Sequence, residues 1–386
     1  MTRTLRAVLV TLGDPGRLTG GYLYHRRMAA AAARHGAWLG FASFPERPFP
    51  LAALAAPKVM RHVYAQGADA LVLDSIAAAF FGASPVTRRL RLPVVGMLHQ
   101  PPGGIDHGPP RSTIQAWLDR RAYRHVSLLM VASESLEARL MAEGVSRDRL
   151  RVVPPGRDYS ATDSAASAEE SEAAKPRHTR NDLRQGRRAA LLCVGNWVER
   201  KGIHYLLEAL ARLPPESATL HLAGDDQAEP RYARRLHARV TLPDLAGRVV
   251  VHGPLDVAGV TALYEAADVF VLPSLKEPYG TVYGEAMAAG LPVVGWRAGN
   301  LPYLADHERE GLILEPGDVT GLADALSRLA GDEALRRRLG EAGRRRALER
   351  PTWDEAAAMF FGAIHEVVER RSSCPDDSQD AARLSP

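Results

Sequence analysis

Two glutamates, Glu277 and Glu285, flank a Gly-Thr step in the segment KEPYGTVYGEAMAAGLP, residues 276–292. The run before them, ADVFVLPS, is apolar and closed by Pro and Ser, and reads as a buried strand. After them, TVYGEAMAAG reads as a helix with Thr281 as N-cap and Gly290-Leu291-Pro292 as its stop. Glu277 therefore belongs to a loop and Glu285 to the start of a helix. Parallel α/β sheets place ligands there, outside the carboxyl ends of strands, where helix N-termini offer free N–H groups to anions. Three other features sit at similar strand ends: Gly20-Gly21 in TGGY, His99 closing VVGMLH, and Lys201 in ERKG. Taken singly, each has a plain structural reading: a surface acid, a tight turn, a structural histidine, a solvated lysine.

The elements that position these residues alternate. RAVLVTLG, an Ala-rich helix over 22–35, AWLGFASF, ADALVLDS, LPVVGMLH and HVSLLMVAS form a first series. Apolar strands separated by helices indicate a parallel sheet covered on both faces. The pattern stops at RVVPPGRDYS. A second series follows: AALLCVGNW, HYLLEALARL, ATLHLAGDD, RVVVHGPL, VTALYEAA, DVFVLPS, the motif helix, LPVVGW and GLILEP. The reading is an α/β chain with a first domain over 1–157, a polar linker over 158–188 and a second domain over 189–350. A C-terminal helix over 351–371 packs back towards the first domain, and 372–386 is a disordered tail. A cleft between two such domains is the expected ligand site.

A chain of 386 residues, 46% hydrophobic and 24% charged, suits two soluble domains, each with its own core. No apolar run is long enough to span a bilayer, and the N-terminal apolar stretch is too short for a signal peptide, so a cytoplasmic location is expected. Two cysteines, Cys193 and Cys374, make neither a disulfide framework nor a metal spacing. A pI of about 9.1 rests on a net charge of only +4, which permits anionic substrates or membrane surfaces without demonstrating either.

Taken together, the motifs resemble the retaining glycosyltransferases of family 4, two Rossmann-like doubly wound domains in the GT-B fold. The resemblance runs over almost the whole chain. It rests on TGGYLYHRRMAAAAARHG, LMVASESLEARLMAEGVSRDRLRVVPPGRD, VGNWVERKGIHYLLEAL, LHLAGDD, GLILEPGD and, most specifically, VVVHGPLDVAGVTALYEAADVFVLPSLKEPYGTVYGEAMAAGLPVV.

The resemblance implies transfer of a sugar from a nucleotide-diphosphate donor to an acceptor hydroxyl. In it, Glu277 contacts the donor-sugar hydroxyls and Glu285 the ribose hydroxyls, both through charge-assisted hydrogen bonds. Gly280, Thr281 and Val282 aim backbone N–H groups at the diphosphate. Lys201 matches the family's phosphate-binding lysine, and a cation there stabilises the charge that develops on the leaving diphosphate. The family commonly has an arginine just after the glycine of this strand end. This chain has Asn196 there, and Arg200 is the neighbouring guanidinium able to supply the second charge. Gly20 and Gly21 lie over the diphosphate or acceptor, and His99 contacts the donor sugar. Front-face displacement, in which the departing phosphate helps deprotonate the acceptor, is implied in place of a covalent carboxylate nucleophile. No D-x-D triplet occurs, so no metal and no cofactor beyond the donor substrate is expected.

Arg120, Arg121 and Arg124 fall on one expected helix, either a solvated basic face or a peripheral contact with the inner face of a membrane that carries a lipid-linked acceptor. The arginines at 336–338 and 344–346 are read as surface. No nucleic-acid partner is indicated, and the acceptor is unknown. Competing readings are a nicotinamide oxidoreductase, disfavoured because LGDPGRLTGG lacks G-x-G-x-x-G spacing, a related GT-B epimerase or phosphorylase, and a non-catalytic nucleotide-sugar-binding protein.

Overall fold

The computed structural model describes residues 3–16, 20–47, 51–85, 90–106, 108–157 and 179–373. The stretch 158–178 of the expected linker and 374–386 of the expected tail lie outside the described residues. Two compact units make up the chain: Met1–Gly156 with Pro351–Pro386, and Arg157–Arg350.

The first unit is built on six strands: β1 (Leu5–Leu12), β2 (Ala37–Phe44), β3 (Ala70–Asp74), β4 (Val94–Leu98), β5 (Leu128–Val131) and β6 (Leu150–Val152). They form one parallel sheet in the order β2-β1-β3-β4-β5-β6. Alternate residues of a strand serve opposite faces, so Val8 and Val10 enter one core cluster while Ala7 and Leu9 enter another. The second cluster is closed by the helix Trp353–Ser373. Its Ala356, Ala357, Phe360, Phe361, Ile364 and Val367, spaced as one helical face, pack with Tyr24 and Met28 of the helix Gly20–Ala31. β6 is the strand that periodicity misses: only three residues long, it opens LRVVPPG, where no alternation can be read.

The second unit holds β7 (Ala189–Val194), β8 (Ala218–Ala223), β9 (Val249–Gly253), β10 (Val269–Leu272), β11 (Val293–Trp296) and β12 (Gly311–Leu314). Again all pairs are parallel, in the order β12-β11-β10-β7-β8-β9. This is the doubly wound order in which the winding reverses between β7 and β10. Loops leaving those two strands at their carboxyl ends diverge to opposite faces and open a crevice.

Two readings of the sequence need correction. Residues 179–188 are not a featureless connector: Thr179 and Asp182 form a capping box on the helix Arg180–Arg184, and Leu183 is buried in the core of the second unit. Arg184 anchors this turn by donating from Nε and Nη2 to Asp268, at 2.7 and 2.6 Å, and Asp268 also accepts from the backbone N–H of Ala190 at 2.8 Å. Arg336 is not a surface residue either. It is buried, donates to the carbonyls of Leu329 and Ala330 that end the preceding helix, and lies 3.9 Å from Asp268. Asp268→Asn should therefore lower the stability of the second unit by about 2 kcal/mol, since it weakens charge-assisted bonds and strands two guanidinium groups. Urea unfolding checks this.

Candidate functional site

In the second unit the site grows from the crossing of two loops. After β7 the chain passes Gly195 and Asn196 and makes a short turn, Glu199–Lys201. Gly202 then starts the helix Ile203–Ala211 with a left-handed φ of 70°. A Cβ on Gly202 would lie 2.0 Å from the carbonyl oxygen of Pro273, just past β10, so only glycine lets the two loops approach this closely. Backbone bonds lace them: Leu275 N–H and Ser274 Oγ both donate to the Arg200 carbonyl, at 2.8 and 3.2 Å.

This crossing carries Lys201 to Glu277. Lys201 is 8% exposed, and its Nζ donates to Glu277 Oε2. Glu277 is fixed from behind by Asn300, a fully buried residue whose N–H donates to the Glu277 carbonyl and whose Nδ2 donates to the Tyr279 carbonyl, both at 2.9 Å. The helix Thr281–Ala288 begins directly after this loop. Gly280, at φ 82°, is its N-cap, and Thr281 is its first helical residue rather than the cap. The N–H groups of Thr281 and Val282 have no intrahelical acceptor and remain available to an anion. One turn on, Glu285 accepts from Tyr264 Oη at 3.0 Å. Burial and the neighbouring carboxylate hold the Tyr264 phenol well above its ordinary pKa, so it stays a donor.

Arg200, the expected second charge, and Asn196, which stands where the family has an arginine, are both otherwise engaged. Arg200 donates through Nη1 to the Lys276 carbonyl at 3.0 Å. Asn196 is exposed, and its Oδ1 accepts from the Asp225 N–H at 3.4 Å. Cys193 is no nucleophile: burial pushes its thiol up to about 12.

In the first unit, residues 17–19 of the glycine-rich loop lie outside the described residues, and Gly20 and Gly21 open the helix Gly20–Ala31. Gly21 faces His99, where a Cβ would sit 3.7 Å from the imidazole Cδ2. His99 follows β4, and its Nε2 lies 3.0 Å from Nε2 of His25 on that same helix. His25 Nδ1 is 3.8 Å from Oδ2 of Asp74, the last residue of β3. Asp74 accepts from Thr11 Oγ1 at 2.7 Å, and from Ser75 Oγ and the Ile76 N–H at 3.3 Å each. Burial lowers both imidazoles to about 3, leaving them neutral, and raises Asp74 above the ordinary carboxylate range. Among the described residues, these three side chains are the group whose donor atoms, all within 4.8 Å of one another, come near enough to hold a cation.

Sequence reasoning therefore named Lys201, Glu277, Gly280, Glu285, Gly21 and His99 but missed Asn300, Tyr264, His25 and Asp74. Tyr264 and His25 sit inside ordinary helical patterns and Asp74 ends a strand, so no local signal marks them. Asn300, between Gly299 and Leu301-Pro302, carries a helix-start signature that could have been read.

Comparison with known proteins gives three results. Residues 188–332 match the family described as Glycosyl transferases group 1, and residues 2–156 match the Glycosyl transferase 4-like domain. A D-inositol 3-phosphate glycosyltransferase of Xylanimonas cellulosilytica is 32% identical over 246 residues, 64% of this chain and 58% of that protein. The chain spans less than two thirds of the length of the curated relatives it matches, 43 to 58% for three of them. Among solved structures, sucrose-phosphate synthase from Thermosynechococcus elongatus shares the fold with a TM-score of 0.76 at 22% identity, covering 95% of this chain and all of that one. Anabaena HepE in complex with UDP and glucose does so with a TM-score of 0.72 at 22% identity, covering 94% of this chain and all of that one.

Proposed function

This chain belongs to the group 1 glycosyl transferases, family 4, with the GT-B fold, and on that footing we propose that it transfers a sugar from a nucleotide-diphosphate donor to an acceptor hydroxyl with retention of configuration. The observation that carries the reading is the Lys201–Glu277 pair, joined across the reversal point between β7 and β10 and set beside the N-terminus of the helix Thr281–Ala288. A diphosphate at that helix end competes with Glu277 for the lysine ammonium. The carboxylate so released turns to the sugar hydroxyls, and Glu285, steadied by Tyr264, takes the ribose. The family resemblance assigns His99 a contact with the donor sugar as well. That HepE was solved with UDP and glucose supports a nucleoside diphosphate as the donor's leaving group.

No covalent carboxylate nucleophile is invoked. The leaving phosphate accepts the acceptor proton on the face it departs from, and with no D-x-D triplet the diphosphate is held by Lys201 and backbone N–H groups without a metal.

The test is thermal stability against UDP, GDP and ADP and their sugars, with and without EDTA. A rise with one nucleotide series, indifferent to EDTA, is expected. No rise with any of them would mean that the donor site is lost or forms only with the acceptor, with Asn196 and the engaged Arg200 as its mark. Glu285→Ala should weaken nucleotide binding on the order of tenfold, the loss of one charge-assisted hydrogen bond, while leaving the fold intact. Calorimetric titration with the free nucleotide reads this directly, and unchanged affinity would remove Glu285 from the ribose.

No helix among the described residues is long and apolar enough to cross a membrane. We place the working enzyme in the cytoplasm, with peripheral contact through the helix Arg111–Tyr123, on which Ile114 and Trp117 are exposed at 51% and 59% and the Arg121 guanidinium lies 5.8 Å from the Trp117 ring. Arg120 is tied to Glu143 at 2.9 Å, and Arg124 is exposed at the helix end. Co-sedimentation with anionic vesicles that falls on Trp117→Ser supports this contact, and equal sedimentation with neutral vesicles counts against it.

A further inference from the structure

We infer that Asp74, acting through His25, fixes the tautomer of His99 so that His99 Nδ1 carries no proton and accepts a hydrogen bond from a ligand hydroxyl. That this hydroxyl belongs to a donor sugar rests on the function proposed above; the tautomer does not.

One hydrogen bond joins the two Nε2 atoms of His25 and His99, so one of those atoms carries a proton and the other is bare. His25 Nδ1 decides which. It is fully buried, has no hydrogen-bond partner, and its neighbouring charge is Asp74, 3.8 Å away, with both side chains almost wholly shielded from water. Burial raises Asp74, but three donors converge on it, from Thr11, Ser75 and Ile76, and oppose that rise; we take the acceptor-only carboxylate they favour as its resting form. A carboxylate draws the single proton of a neutral His25 to Nδ1. His25 Nε2 is then bare and must accept, so His99 donates from Nε2. A neutral His99 that protonates Nε2 leaves Nδ1 with a lone pair.

That nitrogen is where a ligand can reach. His99 is half-buried rather than enclosed, its hydrogen bonds go from Nε2 to His25 and from its backbone N–H to Ser75 Oγ, and among the described residues Nδ1 has no partner. Three elements converge here, since β3 supplies Asp74, the chain after β4 supplies His99, and the helix that follows β1 supplies His25. The winding of the first sheet reverses between β1 and β3. His25 and Asp74 are thus positioning residues for His99.

The experiment is nitrogen NMR of protein labelled with 15N-histidine, His99 being identified by the signals lost in His99→Asn. In the wild type, His99 should show a protonated Nε2 and a bare Nδ1. Asp74→Asn should reverse both, because a carboxamide donates to His25 Nδ1 and pushes the proton chain the other way. The same variant should lose turnover on the order of a hundredfold, with a much smaller change in donor KM, because the contact becomes a donor where an acceptor is needed. A wild-type His99 protonated on Nδ1 overturns the inference even if Asp74→Asn does not fold, and so does an Asp74→Asn spectrum identical to the wild type. Stoichiometric binding of Zn2+ alone, with loss of both imidazole signals, would also overturn it and assign the triad to a cation. Tautomers as stated in a protein that binds no nucleotide sugar would uphold the relay and defeat the glycosyl-transfer reading instead.

Discussion

Lys201→Ala is expected to lower kcat by two to three orders of magnitude, on the order of what the loss of one fixed group facing a developing oxyanion costs, with a smaller change in donor affinity. The asymmetry follows from charge. The diphosphate becomes more negative as the glycosidic bond breaks, so an ammonium beside it binds the transition state more strongly than the ground state. The substitution also leaves Glu277 mostly buried and without its cation, which should cost up to about 3 kcal/mol of stability. Those two effects can be separated. In Lys201→Met combined with Glu277→Gln the buried charge is gone, so stability should largely return while turnover does not. Steady-state kinetics at saturating donor, alongside urea unfolding, read both quantities. Turnover near the wild-type value in Lys201→Ala would sink the assignment of the lysine.

Gly202→Ala should be strongly damaging to the second unit. The residue is left-handed, which costs a side chain about 1–2 kcal/mol, and its Cβ would fall 2.0 Å from the Pro273 carbonyl oxygen, a backbone atom with no rotamer to escape into. Relief requires the loop after β7 to lift away from the end of β10. That crossing holds Lys201 against Glu277, so the expected loss is about 3 kcal/mol, several degrees of melting temperature, together with the nucleotide-induced stabilisation. Gly247→Ala is the control. It has the same φ of 70°, yet nothing lies within 4 Å of its Cβ, so it should show the left-handed strain alone and keep nucleotide binding. Equal effects in the two variants would mean that the approach to Pro273 is not what matters.

The contrast between Gly202 and Gly247 also marks how far the sequence could be read. Both are single glycines in loops, and nothing in their neighbours separates them. Strands such as DVFVLPS were legible because a strand buried on both faces must be apolar throughout, and β10 is buried along its whole length. Thr179–Asp182 was legible only as polar composition, because a capping box uses the same residue types as a mobile linker and the one apolar residue it positions, Leu183, has no periodic companions. The arginine runs near 336 and 344 look alike in sequence. In the structure Arg336 closes a helix end over Leu329 and Ala330, while Arg346 reaches Asp306 and Glu310, at 2.8 and 3.1 Å. Which face of the helix Glu333–Leu348 meets its neighbours decides that difference.

By itself the sequence determined two series of buried parallel strands and put Gly21, His99, Lys201, Glu277 and Glu285 at or just beyond their ends, because burial and turn formation act on neighbours along the chain. Only the tertiary structure decided which of those ends are adjacent. Lys201 and Glu277 are 76 residues apart, and they meet because β10, the fourth strand of its unit, hydrogen-bonds to β7, the first. His25, Asp74 and His99 meet for the same kind of reason, since β3 and β4 are paired and the helix after β1 lies across their ends. Strand order is set by crossover handedness and by how helices cover the two faces of a sheet, and those are properties of the packed chain, not of any window of residues.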